Sequence, residues 1–181
     1  ELSSSVQYER LQSSRMLAQD ALITLGKAPE IYVDAKTSIF SLFIAQVESN
    51  EEKIAIDCGE QQASYQQLAN MSYRIIAGMQ HEGISQGDVV GISLSRKPEL
   101  IATLLACLAQ GVCYAPMDPK YPKDRLIFMA KDSGMKSLIT DDFVSAELQE
   151  HGVAHISLAR LLACQDQVTQ LFSGHAKSTA Y

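Results

Sequence analysis

Residues 88–140 read DVVGISLSRKPELIATLLACLAQGVCYAPMDPKYPKDRLIFMAKDSGMKSLIT, and their reading decides the fold. DVVGISL (88–94) is a short apolar run of the kind that forms a buried strand. Pro98 opens a very apolar helix, ELIATLLACLAQ, and Gly111 stops it. VCYAPMD (112–118) reads as a second strand, Pro122 to Lys131 as a helix, and MKSLIT (135–140) as a third strand. Further on come a helix around Phe143 to Glu150, a short strand AHIS (154–157) and the helical pattern LARLLA (158–163). Four strands separated by helical patterns predict an α/β fold, mainly a parallel sheet with helices on both faces. Crossovers in such sheets are right-handed, which prunes the topology.

Upstream, SIFSLFIAQVESN (38–50) places Ile39, Phe40, Phe43, Ile44 and Val47 on one helical face. KIAIDCGEQQASY (53–65) reads as two short strands around a turn at Gly59 and Glu60, with Ile54 and Ile56 on the half-buried side. Ser64 and Gln67 form a capping box for the next helix, whose apolar face continues through Leu68, Ile75, Ile76 and Met79 until Gly83 ends it. Residues 1–36 differ: Ser3 to Ser5 can cap a helix from Val6 to Leu25, which Gly26 and Pro29 stop before a linker. The predicted division is an N-terminal helix and interdomain linker over 1–36, then an incomplete α/β domain over 37–181. The polar stretch SGHAKSTAY (173–181) has no period, and a doubly wound sheet would continue past it, so it reads as a cut in a loop.

A net charge of −6 leaves no chain-wide basic footprint, so nucleic acid is not an expected partner. The apolar runs fall short of the roughly 18–20 residues of a membrane span, and ELSSSVQYERLQ has no secretory h-region. A cytoplasmic protein with no membrane partner is expected. Cys58, Cys107, Cys113 and Cys164 show no C-x-x-C spacing and read as reduced core residues.

Candidate chemistry is sparse. His151 and His155 are four apart, but Gly152 lies between them and nothing completes a tetrahedral set, so no metal site is expected. There is no G-x-S-x-G elbow, and Ser95, after the first sheet strand, reads as a loop residue. The glycines are dispersed, with neither G-x-G-x-x-G nor G-x-x-x-x-G-K-[ST], so no phosphate cradle is expected. Residues 105–134 instead predict tight packing and a stiff corner. Ala106, Ala109 and Gly111 let a helix approach the sheet, Val112 to Ala115 cross the core, and Pro116, Pro119 and Pro122 fix φ. Arg125 could bond Asp118 and tie the turn down.

Those residues carry a resemblance. Leu108, Ala109, Gly111, Tyr114, Pro116, Asp118, Pro119, Tyr121, Pro122, Arg125 and Leu126 resemble the second core motif of amino-acid adenylation domains of nonribosomal peptide synthetases. Gln110, Cys113, Ala115 and Met117 are mild departures from it. Ala63-Ser64-Tyr65-Gln66-Gln67-Leu68 is similar to the first core motif, L-[TS]-Y-x-E-L, with Ala63 for Leu and Gln67 for Glu. SIFSLFIAQVESNEEKIAI and GISQGDVVGISL are similar to two further stretches of the family. The likeness is tight from Ser38 to Thr140 and looser to Tyr181, where Thr179-Ala180-Tyr181 resembles the approach to the third motif.

The resemblance implies a parent enzyme that uses Mg–ATP to make an aminoacyl-adenylate, then loads the acyl group on a carrier-domain phosphopantetheine thiol. It implies as partners the remainder of the adenylation domain, an upstream condensation-type domain and the carrier domain. The family's phosphate loop, amino-group Asp, ribose Asp and catalytic Lys have no counterpart in this chain. No catalytic, cofactor-binding or metal residue is therefore assigned, the chain alone is expected to be inactive, and ATP and Mg belong to the parent. Ser64, Tyr65, Leu68, Gly111, Tyr114, Pro116, Asp118, Pro119, Tyr121, Pro122 and Arg125 are expected to serve structure. The rival readings are a related acyl-CoA synthetase-like enzyme and a non-catalytic scaffold or docking remnant.

Overall fold

The computed structural model describes residues 37–172 apart from 60, 119 and 142–145, with Ala146 and Glu147 described in backbone alone. The chain divides into units Glu1–Asp34 and Ala35–Tyr181, and the described residues belong to the second. The expected helix from Val6 to Leu25 and the boundary at residue 36 lie outside them.

Helix α1 (Ile39–Asn50) starts where Ser38 and Ser41 exchange bonds, each hydroxyl accepting the other's main-chain N–H at 3.0 and 3.1 Å. Its inner face is narrower than the spacing predicts. Phe40 and Val47 are buried and Phe43 and Ile44 half-buried, but Ile39 is 62% exposed. A first-turn side chain points back past the helix start, so Ile39 overshoots the core. Strands β1 (Ile54–Asp57) and β2 (Gln62–Ser64) pair antiparallel, and Asp57 Oδ1 accepts the Gly59 N–H at 2.8 Å to close the turn. The register shifts between Ile54 and Ile56, which breaks the expected alternation and leaves Ile54 exposed.

Ser64 then caps α2 (Tyr65–His81). Its Oγ accepts the Gln67 N–H at 3.2 Å, and Gln67 Oε1 accepts the Ser64 N–H at 2.9 Å. Leu68, Ile75, Ile76 and Met79 are all buried, as their spacing requires. Buried Ser72 is satisfied by donating to the Leu68 carbonyl one turn back.

The sheet comprises β3 (Val89–Ser93), β4 (Cys113–Pro116), β5 (Ser137–Thr140) and β6 (Ala154–Ser157), all parallel, in the order β4-β3-β5-β6. The connections are α3 (Pro98–Gln110), α4 (Lys123–Ser133) and α5 (Ala146–Glu150), and α6 (Leu158–Leu162) follows β6. The fold is therefore α/β with a parallel sheet, as expected. One core joins the sheet to α2, α3 and α6 through Ile75, Ile76, Val90, Ala106, Ile139 and Leu161. A smaller one covers the other face through Met117, Ala130, Met135, Leu138, Leu148 and Val153.

Gly111 and Gly78 are required for different reasons. Gly111 caps α3 at φ 65°, a left-handed conformation that side chains disfavour. Gly78 lies where α2 meets α6: a Cβ there would stand 2.7 Å from the Leu161 Cα. In the core expectation, Val112 is buried but Cys113, Tyr114 and Ala115 are half-buried, because β4 is an edge strand among the described residues. Pro116 fits there, since an edge tolerates a lost donor. Of the four cysteines, Cys107 alone is buried. Cys58 is exposed on the hairpin turn, and Cys113 and Cys164 are intermediate, which corrects the reading of all four as core.

Candidate functional site: the carboxyl edge of the sheet

Parallel strands deliver all their carboxyl ends to one edge. After β3 the chain steps to β4 on one side, then crosses back to β5 on the other. At such a reversal adjacent loops diverge and leave a crevice, the usual ligand position in open α/β sheets. Here the crevice measures about 200 Å³ and is lined by Leu94, Ser95, Lys97, Glu99, Thr140 and Asp141 among others.

The two loops are tied across it. The Ser95 main-chain N–H donates to Asp141 Oδ2 at 3.0 Å. Burial pushes the Asp141 carboxyl up, but the bonds from Ser95 and the nearby Lys97 charge outweigh it, and the group sits below its usual range. Glu99 lies in the first turn of α3, where the helix dipole favours a carboxylate, and its Oε2 is buried with no hydrogen-bond partner. Lys97 precedes that helix and makes no side-chain cap bond. Ser157 spends its hydroxyl capping α6, accepting the Arg160 N–H at 3.2 Å. The crevice can hold a small polar group between a cation and two carboxylates. Ser95 bonds Asp141 through its hydroxyl as well as its N–H, so the hydroxyl and the carboxylate are spent on the tie between the loops.

Beside it, the proline-rich loop leaves β4. Met117 is buried, and its N–H continues the ladder to the Ile92 carbonyl at 2.8 Å. Asp118 turns the chain: its Oδ1 accepts the Lys120 N–H at 2.9 Å, and its carbonyl accepts the Tyr121 N–H at 3.0 Å. Arg125 does not meet Asp118 as expected. Its guanidinium lies 4.0 Å over the ring of Tyr121, just ahead of the helix, where it stays exposed to water. Pro122 is the N-cap of α4, and Pro116 ends β4 exposed. Pro119 is outside the described residues.

The other residues singled out in the sequence lie away from this edge. Ser64 and Tyr65 start α2, with the Tyr65 ring stacked on Phe43 at 6.3 Å, and Leu68 is buried one turn on. Tyr114 packs half-buried on the main core, and Gly111 closes α3 against Phe172. The structure thus gathers Pro116, Asp118, Tyr121, Pro122 and Arg125 at one corner and leaves the rest as packing and capping positions. Sequence reading misses Asp141 and Glu99, whose only signal is position just after a strand and just inside a helix. His151 sits in the turn after α5 and His155 in β6, where its Nε2 is buried without a partner.

Residues 43–178 match the family model described as AMP-binding enzyme. The chain belongs to this family. A plipastatin synthase of Bacillus subtilis (strain 168) is 42% identical over 104 residues, covering 58% of this chain and 4% of that protein. Tyrocidine synthase 3 of Brevibacillus parabrevis is 31% identical over 134 residues, covering 74% of this chain and 2% of that protein. The N-terminal subdomain of Klebsiella oxytoca NpsA, in complex with 3-hydroxyanthranilyl-AMSN, superposes with a TM-score of 0.72 at 19% identity, covering 85% of this chain and 39% of that one. o-Succinylbenzoate CoA synthetase (MenE) from Bacillus subtilis, in complex with OSB-AMP, gives 0.68 at 21%, covering 76% and 36%. These structural likenesses establish the AMP-binding fold. The chain spans 2 to 4% of the length of the two curated relatives.

The family name implies a nucleotide, and the carboxyl-edge crevice by itself does not fit one. The crevice of about 200 Å³ is below the roughly 300–1,000 Å³ of ordinary small-molecule sites. It has one lysine and two carboxylates where phosphates need several donors.

Proposed function

We propose that this chain is part of an amino-acid adenylation domain of a nonribosomal peptide synthetase. The parent would join an amino-acid carboxylate to the α-phosphate of ATP, expelling pyrophosphate. The aminoacyl group would then pass to a carrier-domain thiol, releasing AMP. One observation carries this reading: 42% identity to the plipastatin synthase across 104 residues.

In that role the described residues are scaffold. The corner at Asp118–Arg125 and the Ser95–Asp141 tie set the carboxyl edge against which the remainder of the domain would close. ATP, magnesium and the amino acid would be held by that remainder. A carrier domain as partner is supported by an artificially fused Adenylation-PCP di-domain of Klebsiella oxytoca, NpsA-ThdA, with a TM-score of 0.72 at 20% identity, covering 83% of this chain and 28% of that one. An upstream condensation-type domain would adjoin residues 1–36. The parent would work in the cytoplasm. No helix among the described residues is long and apolar enough to cross a membrane.

The test is ATP–pyrophosphate exchange on the full gene product with a panel of amino acids, beside the 181-residue chain alone. Exchange with at least one amino acid by the former, and none by the latter, is expected. Activity confined to other carboxylic acids with CoA as acceptor would move the protein to the acyl-CoA synthetases. Silence toward every acid would leave a scaffold role.

A further inference from the structure

We propose that His81, Cys164 and Asp166 form a surface site for one divalent transition-metal ion of the zinc class. His81 is the last residue of α2, and Cys164 and Asp166 follow α6. One donor atom from each lies within 4.8 Å of the other two, and His81 Nδ1 is 2.9 Å from Asp166 Oδ2. Metal–ligand bonds of about 2.0–2.3 Å in a tetrahedron put neighbouring donors about 3.3–3.8 Å apart. To admit the ion the His–Asp pair would open by about half an ångström, and the donors up to 4.8 Å apart would close by up to about 1 Å.

Three further features favour a cation here. Helix α2 brings its carbonyl end, the negative pole of its dipole, to the cluster, and the short α6 ends beside it. The neighbouring cation, Arg160, is already engaged by Glu82 at 2.6 Å, so it does not neutralise the carboxylate of the cluster. The backbone on both sides is also pinned. The Cys164 N–H donates to the Leu161 carbonyl at 3.2 Å. Downstream, Gln80 Oε1 accepts both the N–H and the hydroxyl of Thr169, while Gln80 Nε2 donates to the Gln170 carbonyl at 2.7 Å. The backbone that carries the donors is therefore held before any ion arrives, which lowers the ordering cost of binding.

The donor set of one nitrogen, one sulfur and one oxygen selects zinc or cobalt over magnesium or calcium, which want oxygen alone. Three protein ligands leave a fourth position for water. The His81 and Asp166 side chains are 60% and 63% exposed, so the ion enters directly from solvent. The cluster lies at the amino-terminal side of β3, away from the carboxyl-edge crevice, and owes nothing to the adenylation reading.

The experiment is titration of the full 181-residue chain, reduced and metal-free, with Co²⁺. A thiolate-to-cobalt charge-transfer band saturating at one equivalent, and abolished by excess Zn²⁺, is expected. Cys164→Ser should lose the band. His81→Ala and Asp166→Asn should weaken binding on the order of tenfold or more. Cys58→Ser should bind like the parent. Zinc should raise the melting temperature of the parent and not of Cys164→Ser, which also reports that the variant folds. Three results would overturn the proposal: a band that survives Cys164→Ser, unchanged affinity in both other variants, or equal stabilisation by Mg²⁺.

Discussion

Asp141 Oδ2 accepts the main-chain N–H of Ser95 at 3.0 Å, which joins the loops after β3 and β5 where the strand order reverses. The bond holds shut a place where the sheet would otherwise splay. Asp141→Ala is expected to cost about 1 kcal/mol, low for a charged acceptor because the side chain is solvated. Asp141→Asn keeps an acceptor oxygen and should cost less. Urea midpoints at constant m-value decide it, and equal midpoints for the parent and Asp141→Ala would show the tie to be idle.

Gly78→Ala has a sign that helix propensity and packing dispute. In an exposed helix interior the change would gain about 1 kcal/mol. Here the new Cβ would stand 2.7 Å from the Leu161 Cα and 2.8 Å from its carbonyl oxygen, and backbone cannot swing aside as a side chain can. Overpacking of this kind costs about 1–3 kcal/mol, so net destabilisation is expected in thermal melts.

Much of this fold is legible in the sequence, and the reasons are local. Ser64 and Gln67 stand three apart before an apolar run, and they cap each other in the structure. Pro98 and Gly111 bracket α3 because one lacks an N–H and the other tolerates φ 65°. Strand order is not legible, since spacing does not say on which side of β3 a crossover lands. The half-burial of Tyr114 and Ala115 at an edge is therefore invisible to spacing. The charges predict Arg125 on Asp118, but the Tyr121 ring, just ahead of the Pro122 N-cap, lies under the guanidinium instead. The crevice and the His81–Asp166 pair, 85 residues apart, exist only once the chain is folded.

Cysteine reactivity should rank by burial. Burial pushes the Cys107 thiol up to about 12, and only the thiolate is nucleophilic. Cys58 is exposed on the hairpin turn. A disulfide-forming reagent should label Cys58 rapidly in the native chain and reach Cys107 only as the chain unfolds. Mass spectrometry of timed digests would read the order, and early labelling of Cys107 would contradict the packing of α3 on the sheet.

Acid should unfold the protein partly through Asp88. The Ser85 N–H, donating at 2.9 Å, lowers its pKa, burial opposes this, and the Ser85 hydroxyl and Lys136 add to the lowering. A carboxylate whose folded pKa is depressed binds protons more readily in the unfolded chain. Its stabilisation is full above the unfolded value of about 3.9 and is lost as pH falls through the lower folded value. Asp57, through Gly59 and Gln62, and Asp141 shift in the same direction and steepen the same limb. Asp88→Asn should therefore be less stable than the parent near neutral pH, and the gap should close as the solution is acidified through the depressed folded value. Chemical denaturation at a series of pH values measures it. A gap constant across the series would mean that Asp88 acts through its shape and hydrogen-bonding alone, without its charge.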